Sequence, residues 1–190
     1  MPETPVVARA ALHQWEEPCI SGTRGSGTVF FSGCTLRCVF CQNRPISHGH
    51  FGKAITTAQL RGIFEDLIAQ GAHNINLVSP TPYALAIRKA LETPLGVPVV
   101  WNTGGYERVE TLRALEGKVQ IWLPDLKYAD NALAEKYSGA ADYFERTTEA
   151  ILEMYRQVGP YVTENGLLKS GVVIRHLMLP GALKNTKSVM

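Results

Sequence analysis

The 190-residue sequence predicts an α/β fold built on a parallel sheet. Three observations carry that expectation. Short β-rich runs alternate with helical patterns; the runs are almost continuously apolar, as strands covered on both faces are; and five such runs recur with helix-length spacing. "TVFF" (28–31) is the first strand and feeds straight into a cysteine-rich loop. "TTAQLRGIFEDLIAQG" (56–71) is a helix: Leu60, Ile63, Phe64, Leu67 and Ile68 fall at i, i+3, i+4, i+7 and i+8, and Gly71 supplies a stop. "NINLVS" (74–79) is the second strand, and "TPYALAIRKALE" (81–92) a helix with Thr81 as N-cap and Pro82 at its first position. "VPVVWNT" (97–103) is the third strand, "RVETLRALEG" (108–117) a helix ending at Gly117, and "VQIWLPDLK" (119–127) the fourth strand. "ADYFERTTEAILEMYRQVG" (141–159) is a long helix closed by Gly159 and Pro160, and "GVVIRHLML" (171–179) is the fifth strand. "SGTRGSG" (21–27) precedes a strand instead of following one, so it reads as a hairpin or a flexible approach, not a dinucleotide fingerprint.

Composition narrows the function classes. Hydrophobic residues make up 45% of the chain, enough for a core, and the net charge is +2 with no dense Lys/Arg block, so nucleic acid is not an expected partner. No apolar stretch approaches the roughly 18 residues of a membrane helix. The N-terminus "MPETPVVARAALHQWEE" lacks the long apolar centre of a secretion signal. The expected location is the cytoplasm, where thiols stay reduced, so clustered cysteines point to metal ligation or redox chemistry before disulfides.

In parallel α/β folds chemistry gathers at the C-terminal strand ends. Polar groups fall there: the cysteines after the first strand, Ser79 after the second, Asn102 and Thr103 ending the third, Asp125 and Lys127 at the fourth, Arg175 and His176 in the fifth. Asp125 and Lys127 stand two apart on a strand and so share a face.

"SGCTLRCVFCQN" (32–43) places Cys34, Cys38 and Cys41 in eight residues, spaced C-x3-C-x2-C. A structural zinc site needs a fourth ligand, which His48 or His50 would have to supply. A redox pair at Cys38 and Cys41 leaves Cys34 without a role. Chance clustering in a core sits badly with Gly33 and Arg37 in the same loop. An iron–sulfur cluster takes thiolates as its standard ligands, and three on a four-iron cubane leave one iron open. Cys19 stands apart and reads as a free structural thiol.

The pattern resembles the radical S-adenosylmethionine (SAM) enzymes, and most closely the pyruvate formate-lyase activating enzyme and its uncharacterised relatives. "VFFSGCTLRCVFCQNRPIS" resembles their first strand, cluster loop and C-x-N-R, "WNTGGY" their "DTNGF", "WLPDLKY" their D-L-K strand and "VVIRHLMLPG" their "IRYVVVPG", in order over residues 28–181. "SPTPY" (79–83) departs from the "G-G-E"-like end of their second strand.

The resemblance implies a partial (β/α) barrel of the radical SAM type, with five of about six parallel strands present. It implies a [4Fe-4S] cluster on Cys34, Cys38 and Cys41, and SAM chelated to the open iron. Reductive cleavage of SAM would give a 5′-deoxyadenosyl radical for hydrogen abstraction, with activation of a glycyl radical enzyme as one outcome. Phe40, Asn43, Ser79, Asn102, Asp125, Lys127 and Arg175 are the implied cofactor-binding residues. A monovalent cation would lie near Asn102, Thr103 and Asp125, although Asn102 replaces that enzyme's Asp. Implied partners are an electron donor such as flavodoxin or ferredoxin and a protein substrate. Residues 1–27 are expected to be an N-terminal extension with a Gly-rich turn, and 28–190 a core domain truncated before its sixth strand, leaving an open edge. The alternative from another class is a zinc-stabilised, non-catalytic interaction domain.

Overall fold

The computed structural model describes residues 2–49 and 51–190. Its elements in chain order are β1 (Val6–His13), α1 (Pro18–Ser21), β2 (Ser26–Phe31), α2 (Arg44–Ser47), β3 (Lys53–Ala54), α3 (Thr57–Ala69), β4 (Ile75–Val78), a 3-10 turn (Thr81–Tyr83), α4 (Ala84–Ala90), β5 (Val99–Thr103), α5 (Val109–Arg113), β6 (Ile121–Pro124), α6 (Asn131–Ser138), α7 (Tyr143–Val158), β7 (Val162–Glu164), β8 (Leu167–Val172) and α8 (Leu183–Val189). One sheet orders them β3-β1-β2-β4-β5-β6-β8-β7. Strands β2, β4, β5, β6 and β8 run parallel, five as the sequence predicts, the first four of them where it places them. The architecture is a partial (β/α) barrel.

The continuous apolarity of the strands follows from burial on both faces. On the outer face Val29, Phe31, Ile75, Leu77, Val99, Trp101 and Trp122 pack beneath Leu60 and Phe64 of α3, Ile87 of α4 and Met154 of α7. On the concave face Val100, Ile121 and Leu123 meet Leu168 and Ile20 of α1, so the short helix before β2 fills the inside of the barrel. Each such buried side chain contributes about 1.5–3 kcal/mol before chain entropy is counted. Helix α3 opens with a capping box: Thr56 Oγ1 accepts the Gln59 N–H at 3.1 Å and Gln59 Oε1 accepts the Thr56 N–H at 2.9 Å.

Several expectations need correction. Thr81 does not cap α4: its hydroxyl donates to the buried Glu107, a tight turn takes up Thr81–Tyr83, and the helix starts at Ala84 behind Tyr83. Helix α5 stops at Arg113 and continues as turns. The fifth parallel strand lies earlier than 171–179. β8 ends at Val172, and beyond it bonds from Val173 N to Trp122 O, Arg175 N to Pro124 O and Leu126 N to Arg175 O, with one parallel bridge between Asp125 and Arg175, carry the pairing onward. Val6–His13 within the expected N-terminal extension is a strand paired antiparallel with β2, so the Gly-rich stretch joins two sheet neighbours. The edge of β8 expected to be open is paired antiparallel with β7. Further on, Ile174, Leu177 and Met178 are exposed. No helix among the described residues is long and apolar enough to cross a membrane.

Candidate functional site

The loop after β2 turns out of the sheet at Gly33, whose φ of +87° lies in the left-handed region that glycine takes without strain. Its backbone is tied at three places: Gly33 N to Ile46 O at 3.0 Å, Arg37 N to Ser138 O at 2.9 Å and Val39 N to Tyr137 O at 2.9 Å. The loop therefore hangs between α2 and the C-terminal end of α6. Cys38 is buried, and Cys34 and Cys41 are half-buried; all three are free thiols. They pack in one apolar cluster with Leu36, Phe40, Tyr128, Ala134 and Tyr143, whereas Cys19 lies in the separate concave-face cluster with Ile20. Burial pushes the Cys34 thiol up. The neighbouring Cys38 and Cys41 add to the rise, and the Leu36 N–H and the Lys127 ammonium pull against it. Such a thiol releases its proton when it binds a metal cation.

The donor set fits a cluster better than a single ion. Three thiolates are a full protein ligand set for a four-iron cubane with one open iron, whereas a structural zinc needs a fourth ligand. His48 Nδ1 is occupied by Ser47 Oγ at 2.8 Å, and His50 lies outside the described residues.

Behind the loop, the strand ends assemble a charged chain on the concave side. Asp125 forms ion pairs with Lys127 and with Arg175 Nε, the latter at 2.9 Å, so the shared face of Asp125 and Lys127 holds. Lys127 is buried and its charge reaches Cys34. Each nitrogen of the Arg175 guanidinium bonds within the protein: beside Nε to Asp125, Nη2 donates to Asn102 Oδ1 at 2.6 Å and Nη1 to Glu16 Oε1 at 3.2 Å, with Glu17 near at 3.8 Å. Glu16 Oε2 in turn accepts from Asn76 Nδ2 at 2.6 Å and Asn102 Nδ2 at 3.2 Å. The carboxylates that Arg175 meets are thus the protein's own.

The "WNTGGY" loop is clamped against these residues. At Gly105, φ is +83° and a Cβ would lie 2.2 Å from the Asp125 carbonyl oxygen, so only glycine fits there. Tyr143 Oη accepts the Lys127 N–H at 3.1 Å and lies 2.8 Å from the carbonyls of Gly104 and Asp125. Asn185 of α8 holds the next stretch, accepting from Ala129 N at 2.9 Å and donating to Lys127 O at 2.9 Å. Glu107 is buried under three donors to one oxygen, Thr81 and Thr103 at 2.6 Å and Trp101 Nε1 at 3.2 Å, and burial pushes its carboxyl up. Thr103 therefore faces Glu107 on the outer layer and not Asn102 and Asp125. His176 is structural, bonding Leu126 O at 2.8 Å and Thr186 Oγ1 at 3.1 Å.

Among the remaining expected residues, Phe40 packs half-buried against the cysteine cluster. Asn43 is exposed and braces α2 through its carbonyl, which accepts from Ile46 and Ser47; its side chain has no hydrogen bond among the described residues. Ser79 holds φ at +54°, a left-handed backbone that a serine adopts only at a cost. It is a backbone conformation that a glycine takes without strain. Glu16, Ser138, Tyr143 and Asn185 carried no motif: each reaches the site from a distant part of the chain.

Residues 28–182 match the family model of the Radical SAM superfamily. That is most of the chain, and the chain belongs to this superfamily, whose members use a [4Fe-4S] cluster and SAM. It is 34% identical over 169 residues to an uncharacterized protein of Methanocaldococcus jannaschii, covering 83% of this chain and 46% of that one. The chain thus spans about half the length of this curated relative. Its fold is similar to crystal structures of Streptococcus suis SuiB. The structure of SuiB bound to S-adenosylmethionine superposes with a TM-score of 0.59 at 15% identity, over 83% of this chain and 34% of SuiB. SuiB bound to the precursor peptide SuiA gives 0.58 at 15% identity, over 82% and 33%.

Proposed function

We propose that Cys34, Cys38 and Cys41 hold a [4Fe-4S] cluster whose open iron takes SAM. The observation that carries this reading is one loop at the C-terminal mouth of the parallel sheet, bearing three free thiols in a shared apolar cluster with a buried lysine beside them. When bound, the cluster and SAM supply one-electron reduction and hydrogen-atom abstraction. The chain's own residues do the rest. Leu36, Tyr128 and Tyr143 keep water from the sulfurs. Lys127, held by Asp125, offers a cation to the carboxylate of SAM, and Asn102 and Arg175 keep that pair oriented from behind. Phe40 provides an apolar surface for the adenine, and the unspent side chains of Asn43 and Ser79 are free to bond the cofactor.

The further reading is hydrogen abstraction from a macromolecule in the cytoplasm, with flavodoxin or ferredoxin as electron donor. Its support is the resemblance to the pyruvate formate-lyase activating enzyme, which favours a glycyl radical enzyme as substrate, and the peptide bound by SuiB. Iron and sulfide content after anaerobic reconstitution tests the ligand assignment. Cys34→Ala, Cys38→Ala and Cys41→Ala each lose the four-iron cluster, and Cys19→Ala keeps it. A Cys19 variant as empty as Cys38→Ala, or stoichiometric zinc without iron in the wild type, contradicts the assignment.

A further inference from the structure

Two of the three candidate ligand sulfurs have a serine hydroxyl against them. Ser138 Oγ donates to Cys38 Sγ at 3.0 Å, and Ser47 Oγ lies 3.2 Å from Cys41 Sγ. What stands behind each serine differs. Ser47 shares its oxygen with His48 Nδ1 at 2.8 Å, so its proton has two possible destinations. Ser138 is backed by Tyr128, whose phenol oxygen is 2.8 Å from Ser138 Oγ.

Both members of that second pair are sealed from water, Tyr128 at 0% exposure and Ser138 at 1%. Ser138 is the phenol's hydrogen-bond partner, the sole one among the described residues. A buried donor left unpaired costs about 1–3 kcal/mol, so the phenol proton goes to Ser138 Oγ. A hydroxyl has a single proton to give. With its oxygen already accepting, Ser138 turns that proton to Cys38. A cysteine bound to iron carries no proton and can only accept. The backbone that carries Ser138 is tied to the cysteine loop itself: its own carbonyl holds the Arg37 N–H at 2.9 Å and that of Tyr137 holds Val39.

We propose that Tyr128 and Ser138 set the reduction potential of the cluster by keeping a donated proton on the Cys38 sulfur. This rests on the reading that Cys38 ligates iron. Reduction adds negative charge to the cluster and its sulfurs. A donor to sulfur stabilises the more negative state more and so raises the potential. The pair touches neither substrate nor reacting atoms; it acts through Cys38.

The test is anaerobic reconstitution of wild type, Ser138→Ala and Tyr128→Phe, with iron counted per chain and the one-electron midpoint read by a redox titration followed by electron paramagnetic resonance. Ser138→Ala keeps its iron and, at the wild-type midpoint, shows an about tenfold lower ratio of reduced to oxidised cluster, a fall of ~59 mV for a one-electron couple. Tyr128→Phe moves the same way by less, since the serine proton remains but is no longer steered. Either variant holding its iron at the wild-type potential overturns the proposal. So does loss of the cluster in both, which would make the pair a prop for the loop. A wild type that binds no four-iron cluster defeats the ligand reading itself, and the iron count separates that failure from a failure of tuning alone.

Discussion

Asp125→Ala removes one carboxylate from between two cations, and the two do not depend on it equally. Arg175 retains Glu16 at 3.2 Å and the Asn102 carbonyl at 2.6 Å. Lys127 is 7% exposed and has no other acceptor among the described residues. The substitution therefore strands a buried ammonium, which costs about 3 kcal/mol or somewhat more. Lys127→Met is milder: Asp125 keeps Arg175, methionine fills the volume of the lysine stem, and the cost is about 1 kcal/mol. In a chain of this size 1 kcal/mol moves Tm by about 2–4 °C. Asp125→Ala then melts about 6–12 °C below wild type and Lys127→Met about 2–4 °C below it. Calorimetry of the metal-free proteins under reducing conditions reads the difference. With the cluster present, both variants bind SAM about tenfold or more weakly by anaerobic titration, a loss of ~1.4 kcal/mol. Lys127→Met melting as low as Asp125→Ala would refute the view that the carboxylate is the hub.

Ser79→Gly, which relieves a φ of +54°, stabilises the protein by about 1 kcal/mol in urea unfolding, and a loss of stability would show that the serine side chain matters more than its backbone. Glu153 is held down to about 2 by Arg156 at 2.8 and 2.9 Å, with Gln157 at 2.8 Å assisting. Its folded value lies below the ordinary 4.5, so its contribution is present above that pH and is lost as pH falls through about 2. Between about pH 5 and 2.5, the urea midpoint of wild type falls further than that of Glu153→Gln; the half-exposed Arg156 keeps the effect modest. Equal falls would remove the pair from the acid response.

The five parallel strands and the cysteine loop were legible because each is a local signal: apolar runs of strand length and three thiols in eight residues. The hairpin of β7 and β8 was legible too and missed. Asn165 and Gly166 both take positive φ, the two-residue turn that Asn-Gly announces, yet "TENGLL" falls between the long helix and the strand expected at 171–179. β1 was hidden because "VVARAALH" has no clean alternation; its pairing with β2, and at Val6 and Val7 with β3, makes it a strand. At the site, Asp125 and Lys127 were found by their spacing on a strand. Glu16 reaches Arg175 across 159 residues and Ser138 reaches Cys38 across 100, and no spacing rule spans such separations. Thr81 shows the reverse failure: its local pattern favoured a helix cap, and the buried Glu107 offered its hydroxyl a better partner.

Radical SAM chemistry at this loop and mouth is tested by anaerobic reconstitution of the wild-type chain, then dithionite and SAM, with product analysis by chromatography. Four irons per chain are expected, with methionine and 5′-deoxyadenosine appearing together and neither appearing from Cys38→Ala. A wild-type chain that holds a four-iron cluster, binds SAM and still forms no 5′-deoxyadenosine would contradict it.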